Sequence, residues 1–187
     1  MWITNGASAD VVIVFARTNK AVSNAKGISA FVVEKQPGLT YGKKENKTGI
    51  RASETVQLFL EDVRVPRENL LGEVDHGFNY ALETLNGGRI GIATQAVGIA
   101  QGALDAVMDY FEGKPAQKGA AFATQDVDFR FAEMATQVEA SRLLCWRAAQ
   151  LRDLGRDHVR EASVAKLYAS RASNHVCRSA VAILGPA

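Results

Sequence analysis

Short apolar runs rich in β-branched residues alternate with turn-forming residues over the first 70 positions. The runs cover residues 10–15, 27–34, 39–41 and 55–61, and their composition favours strands. Three pairs beside or between the runs are typical of turns: Asn5-Gly6, Pro37-Gly38 and Asn46-Lys47. The pattern predicts an antiparallel meander or part of a β-barrel.

After Gly77 the apolar positions recur every three or four residues, which is the period of an α-helix. The period predicts three helices, over residues 78–111, 124–154 and 160–184. On the first helix the predicted inward stripe is Phe78, Ala81, Leu82, Leu85, Ala93, Ala96, Val97, Ala100, Leu104, Val107, Met108 and Phe111. On the second helix the predicted inward residues are Phe131, Met134, Val138, Leu143 and Leu144, with Trp146 also in the core.

Three long helices rich in Ala pack closely, which predicts an antiparallel bundle. The predicted fold class is therefore α+β. A partial antiparallel β-barrel domain over residues 1–70 is followed by an antiparallel α-helical bundle domain over residues 71–187.

Composition narrows the function classes. The chain has 187 residues, of which 47% are hydrophobic and 22% charged, so it is long enough for one large globular domain or two small ones. A net charge of +2 and the absence of a long basic block argue against nucleic acid as a partner. No stretch reaches about 18 uninterrupted apolar residues, so no membrane span is predicted.

Two cysteines and three glycines bear on the chemistry. Cys145 and Cys177 belong to no Cys-x-x-Cys or Cys/His cluster, so we predict core thiols and a reducing compartment, with no disulfide or metal site.

Gly87, Gly88 and Gly91 interrupt the first helix, where each costs about 1 kcal/mol relative to Ala. They predict the close approach of another helix, a backbone or a ligand.

The first residues offer a planar binding surface. On an extended backbone, Trp2 and Thr4 project to the same side, where an indole face and a hydroxyl could contact one planar heterocycle. The size suits a flavin. The alternative is a strand-end Trp2 packed in the core.

Eight segments, in this order and spacing, resemble one family. They are WITNG at 2–6, KGISAF at 26–31, GIRAS at 49–53, FLEDV at 59–63, VPRENLLG at 65–72, GRIGIA at 88–93, GIAQ at 98–101 and EASVAK at 161–166. The chain resembles the acyl-CoA dehydrogenases along its whole length, most closely the short-chain (butyryl-CoA) type. The resemblance implies the middle and C-terminal domains of that family, both incomplete.

The resemblance also implies the activity. Members remove hydrogens from Cα and Cβ of an acyl-CoA, using FAD and a carboxylate base, and pass electrons to an electron-transfer flavoprotein. It further implies a homo-oligomer built as a dimer of dimers, in the cytoplasm of a bacterium or the mitochondrial matrix of a eukaryote. An acyl-CoA oxidase is a further option, which rapid reaction of the reduced flavin with oxygen would reveal.

Site residues are carried over by motif. Trp2, Ile3 and Thr4 would line the flavin ring, with Thr4 hydrogen-bonded near N5. Lys114 and Gln125 would contact the FAD of a neighbouring subunit. The residues implied at the pantetheine and thioester of the substrate are Asn86, Gly87, Gly88 and Arg89; for Arg89 the alternative is an ion pair with an acidic residue.

The resemblance implies a base outside these residues. Some relatives carry it just before the Arg of the first long helix, where this chain has Gly88. We therefore expect no catalytic residue within the chain and a Glu base beyond Ala187. Glu73 and Glu83 are alternatives, but each is more simply a solvated residue. We predict that the chain is inactive when isolated.

Several positions depart from the family pattern. Where the family has R-x-x-F-G, the chain has Lys114 and Gln117, and Pro115 should end the first helix. Ala182 and Pro186 replace residues of the family's Q-I-L-G-G. These changes leave two hypotheses: a fragment of a catalytically normal dehydrogenase, or a non-catalytic, half-site or truncated subunit that binds FAD weakly or not at all.

Overall fold

A computed structural model of the chain describes residues 2–22, 24–112 and 125–185. Contacts divide the chain into two compact units, Met1–Leu82 and Glu83–Ala187. A long helix begins in the first unit and continues through the second, so the domain boundary expected after residue 70 stays a prediction.

The first unit consists of two antiparallel three-stranded sheets. One sheet has the order β1-β5-β4 and the other β2-β3-β6. The strands are β1 (Trp2–Thr4), β2 (Val11–Arg17), β3 (Ile28–Glu34), β4 (Leu39–Tyr41), β5 (Thr55–Leu60) and β6 (Leu70–Leu71). The antiparallel prediction is confirmed. The sequence pattern did not show β1 and β6 as strands because two or three residues display no alternation.

Turns and a polar network complete this unit. The turns predicted at Asn5-Gly6 and Pro37-Gly38 are present, whereas the one predicted at Asn46-Lys47 is wrong, because the chain turns several residues later. Ser29 is fully buried, yet its hydroxyl lies 2.7 Å from the Thr18 hydroxyl and accepts a hydrogen bond from the Asp75 amide at 2.8 Å. The buried hydroxyl is therefore satisfied.

Three helices follow, close to the predicted bounds. They are α1 (Gly77–Phe111), α2 (Gln125–Asp153) and α3 (Val159–Leu184). Helix α1 ends before Pro115, as expected. The apolar period located these helices well because each one buries a continuous stripe.

Two hydrophobic clusters join the helices of the second unit. One contains Ile90, Ala93, Ala96, Val97, Cys145, Ala148, Ala162, Ala165 and Ala169. The other contains Ala100, Leu104, Val107, Met134, Val138, Val176, Ala180 and Ile183. Each cluster draws on all three helices, and the many Ala side chains let the helices approach closely. The bundle prediction is confirmed for these elements.

Some predicted core residues are exposed instead. On α1 these are Phe78, Leu82, Leu85 and Met108. On α2, Leu143 is 53% exposed and Trp146 is 62% exposed, so both core assignments are wrong. Cys145 is buried as predicted, but Cys177 is only partly buried. A helical stripe identifies a face, whereas the packed neighbours decide how much of that face is covered.

Helix α1 is the one described helix whose length and composition would suffice to cross a membrane. In its most apolar stretch of 18 residues, 33% is buried. Core helices of bundles pass the same test, and α1 contributes to both clusters above. Among the described residues, no group of three or more His, Cys, Asp or Glu side chains is placed to hold a metal ion.

Candidate functional site

Strand β1 presents Trp2 and Thr4 on one side. Exposure alternates along the strand, with Trp2 70% exposed, Ile3 half-buried and Thr4 exposed. Pairing with β5 fixes this alternation, because Ile3 lies opposite the buried Val56. The alternative in which Trp2 packs in the core is wrong. An exposed indole beside a hydroxyl forms a flat apolar surface with one hydrogen-bonding group.

The turn after β1 is held by Glu54. The backbone amides of Ala7 and Ser8 donate to Glu54 Oε1 at 3.1 and 2.8 Å. The Asn5 amide donates to the Glu54 backbone oxygen at 3.0 Å, and Asn5 has a positive φ of 57°. One residue of the neighbouring chain segment therefore binds both ends of this turn.

These hydrogen bonds favour the ionised form of Glu54. The pKa of its carboxyl lies below the ordinary value of 4.5, chiefly because the Ser8 backbone amide donates to it, with smaller contributions from the nearby Ser8 hydroxyl and from the Ala7 amide. The positive charge of Lys44 acts in the same direction, while desolvation opposes it. Hydrogen bonds to the ionised form favour that form.

On α1, the structure brings Asn86 and Arg89 together. Arg89 is half-buried, and its Nη1 donates a short hydrogen bond to Asn86 Oδ1, one helical turn earlier. Within the described part of the chain, no ion pair involves Arg89, so its charge is not neutralised by a neighbouring carboxylate there. The Asn86 side chain therefore orients the Arg89 guanidinium.

The glycines of α1 differ in their surroundings. A Cβ added to Gly87 would lie 3.3 Å from Nη1 of Arg152, so this glycine accommodates a guanidinium. A Cβ added to Gly88 or Gly91 would meet nothing within 4 Å. Close approach of a protein group is therefore confirmed at Gly87 but not at the other two, where the helix surface lies open.

Two residues beside the candidate site were not found from the sequence. Arg152 lies 65 positions after Gly87 and carries no motif, and Glu54 reads as an ordinary surface residue. A carboxylate following the GIRAS segment gave no signal on its own. Both were found only because the tertiary structure places them against a glycine and against a pair of backbone amides.

The structure shows little about the other residues predicted for the site or for the departures from the family pattern. Gln125 is the exposed first residue of α2, and Ala182 is exposed near the end of α3. Lys114, Gln117 and Pro186 lie outside the described residues.

The two carboxylates considered as alternative bases lie at the surface. Glu73 and Glu83 are both exposed, and a Glu73 oxygen lies 3.5 Å from Nδ1 of His76. Neither side chain is buried, whereas a general base usually lies in a site from which water is excluded. Their surroundings fit solvated surface residues.

The chain matches two domains of one protein family. Residues 1–63 match the acyl-CoA dehydrogenase middle domain, and residues 75–187 match the acyl-CoA dehydrogenase C-terminal domain. The short-chain specific acyl-CoA dehydrogenase, mitochondrial, of Rattus norvegicus is 49% identical over 185 residues, which are 98% of this chain and 45% of that protein.

Comparison with solved structures identifies the same family. Butyryl-CoA dehydrogenase from Megasphaera elsdenii has a TM-score of 0.90 at 45% identity, covering 98% of this chain and 48% of the other. The same values hold for a chain in a structure of the electron transferring flavoprotein of Acidaminococcus fermentans, described in connection with flavin-based electron bifurcation. This chain spans about half the length of the relatives that it matches.

Proposed function

This chain belongs to the acyl-CoA dehydrogenase family, and from that premise we propose that it forms part of an FAD-dependent enzyme for short-chain acyl-CoA thioesters. The enzyme would convert the substrate to the trans-2-enoyl-CoA and pass the electrons to an electron-transfer flavoprotein. The family is enzymatic, and its members use FAD. Similarity to short-chain and butyryl-CoA relatives supports the substrate class.

The observation that carries the proposal is the shared exposed side of Trp2 and Thr4. A planar isoalloxazine ring suits a flat indole face that no described residue covers, and the adjacent hydroxyl supplies one polar contact. The residues present therefore fit the cofactor. Trp2, Ile3 and Thr4 would hold the flavin ring, and Lys114 and Gln125 would contact the FAD of a neighbouring subunit.

Asn86, Gly87, Gly88 and Arg89 would bind the substrate. The open helix surface at Gly88 leaves room for a narrow pantetheine chain, and the Asn86 side chain orients Arg89. A guanidinium oriented in this way would favour the partial negative charge that develops on a thioester carbonyl when the α proton leaves.

Dehydrogenation removes a proton from Cα and a hydride from Cβ, and a double bond forms between these carbons. Bound FAD supplies the hydride acceptor. Thr4 would donate a hydrogen bond near the accepting nitrogen, and Trp2 would keep water from one side of the ring. The family resemblance implies a Glu base beyond residue 187, and the missing side chain at Gly88 and the exposed positions of Glu73 and Glu83 are consistent with that proposal.

The proposal extends to partners and location. A chain of the same family in a structure of an electron transferring flavoprotein supports that class of protein as electron acceptor. A dimer of dimers would bring Gln125 to a neighbouring cofactor. The relatives include mitochondrial and bacterial enzymes, so the matrix or the bacterial cytoplasm would be the compartment.

The test uses the protein expressed from its natural gene. Its intact mass and visible spectrum are measured first, followed by reduction of the flavin with butyryl-CoA under anaerobic conditions. Bound flavin that butyryl-CoA bleaches, in a chain heavier than 20.1 kDa, is the expected result. A flavin-free protein that leaves butyryl-CoA unchanged would refute the proposal and favour a non-catalytic subunit. Turnover by the isolated 187-residue chain would contradict the expectation that the base lies outside it.

A further inference from the structure

We propose that Glu54 is a positioning residue for the flavin-lining strand β1, and that it acts through the turn formed by residues 5–9. The inference rests on the proposed function, since it concerns the strand that carries Trp2 and Thr4. It assigns a role to a residue that is not among the cofactor-binding and substrate-binding residues proposed above.

The first support is the double attachment of the turn. The Glu54 backbone oxygen accepts from Asn5, directly after β1, and Glu54 Oε1 accepts from Ala7 and Ser8. The first contact continues the β1–β5 pairing, in which Thr4 lies opposite Thr55. The second binds the far side of the turn to the same residue, so the end of β1 is fixed from two directions.

The second support is the close packing beneath the turn. Gly6 is buried, and a Cβ added there would lie 2.8 Å from Cγ2 of Val56. The Asn5 backbone adopts a left-handed conformation, which is less favourable for a residue with a side chain. Inside the turn, the Ala9 amide donates to the Asn5 carbonyl at 2.8 Å and the Ser8 hydroxyl to the same oxygen at 3.3 Å. The Glu54 side chain adds two hydrogen bonds to this turn, from the amides of Ala7 and Ser8.

The third support is the ionised state of Glu54. Two backbone amides converge on a single carboxylate oxygen, and hydrogen bonds to a charged acceptor are stronger than neutral ones. The carboxyl is ionised at neutral pH, and its lowered pKa extends the ionised form to more acidic pH. Loss of the carboxylate should therefore release the turn, and with it the conformation of Thr4, one residue before Asn5.

The matched control is Glu61, an exposed carboxylate directly after β5. Its side chain makes no hydrogen bond or ion pair with another described residue. Glu54→Ala and Glu61→Ala therefore remove the same charge from the two ends of one strand, and only the first removes the contacts with the turn. Glu54→Gln keeps an acceptor oxygen and loses the charge, so it should fall between wild type and Glu54→Ala.

The first experiment measures amide hydrogen exchange and chemical shifts by NMR in the 187-residue chain. Glu54→Ala should accelerate exchange at Ala7 and Ser8 by about tenfold, the effect of one hydrogen bond to a charged group, and should shift the amides of Ile3 and Thr4. Glu61→Ala should leave all four amides unchanged. Unchanged exchange at Ala7 and Ser8 in Glu54→Ala would overturn the proposal, as would faster exchange without any shift at Ile3 and Thr4.

The second experiment places the same variants in the protein expressed from its natural gene. Glu54→Ala removes both side-chain hydrogen bonds to the turn and should raise the Kd for FAD about tenfold. It should also displace the visible flavin bands relative to Glu61→Ala. Equal affinity and equal spectra in the two variants would overturn the link to the flavin. A wild-type protein without flavin would refute the proposed function instead, while the NMR result would still decide whether Glu54 positions β1.

Discussion

Replacing Gly88 by Ala should stabilise the helical unit, because the structure leaves open space at that position. Gly in a helix interior is about 1 kcal/mol less favourable than Ala. A Cβ at Gly88 would meet nothing within 4 Å, so no steric cost reduces the gain. At Gly87 the Cβ would lie 3.3 Å from Arg152, and that side chain would have to move slightly. The gain at Gly87 should be smaller.

The assay is thermal unfolding followed by circular dichroism at 222 nm, which reports the three helices. A gain of about 1 kcal/mol raises Tm by about 4 °C in a unit of this size. Gly88→Ala should show this increase, and Gly87→Ala should show less. A fall in Tm for Gly88→Ala, or a larger gain at Gly87, would refute the reasoning from open space.

The same substitution separates stability from function. If the open surface at Gly88 receives the pantetheine chain, the added methyl group should weaken acyl-CoA binding while the helix becomes more stable. In the protein expressed from its natural gene, we expect a higher KM for butyryl-CoA together with the higher Tm. An unchanged KM would remove Gly88 from the proposed substrate site without affecting the stability prediction.

Three further predictions concern buried and charged side chains. Met134→Ala should lower the free energy of unfolding by about 2–5 kcal/mol, because the side chain is fully buried, and urea denaturation measures this loss. The pKa of Glu54 is lowered, chiefly by the Ser8 amide. Its contribution to stability is therefore complete above the ordinary pKa of 4.5 and is lost as pH falls through the lower pKa of the folded state. Amide exchange at Ala7 and Ser8, measured from pH 7 to pH 3, reports this loss. Burial raises the pKa of the Cys145 thiol, so iodoacetamide should modify Cys177 first, as peptide mass mapping would show.

Each of these has a control and a contrary outcome. Leu143→Ala, at an exposed position of the same helix, should change stability by less than about 0.5 kcal/mol; an equal loss in both variants would contradict the assigned core. For Glu54, the difference in amide protection between wild type and Glu54→Gln should vanish at acidic pH. A difference in protection that grows on acidification would contradict the expected sign. Faster modification of Cys145 in folded protein would show that its position is more open than the structure indicates.

Much of the architecture follows from local pattern. The helical period located α1, α2 and α3 to within one or two residues, because each helix buries one stripe over many turns. Runs of β-branched residues located β2 to β5 in the same way. Strands β1 and β6 were not apparent, since so few residues carry no period and only pairing with β5 and β3 defines them.

Burial was less predictable than secondary structure. Trp146 and Leu143 have the composition of core residues and lie in a helix, yet both are exposed. Their neighbours Cys145 and Ala148 occupy the packed face instead. Successive residues project about 100° apart around a helix, so contacts with the other helices decide which of two adjacent apolar residues is buried.

The sequence by itself determined the family, the α+β class and the motif residues, since these depend on local period and on the order of short segments. Only the tertiary structure decided which distant residues contact those motif residues or the turn beside them. Glu54 reaches Ala7 and Ser8 across 46 or 47 positions, and Arg152 reaches Gly87 across 65. Contacts at such separations leave no periodic trace in the chain, because they are formed by the geometry of packed strands and helices.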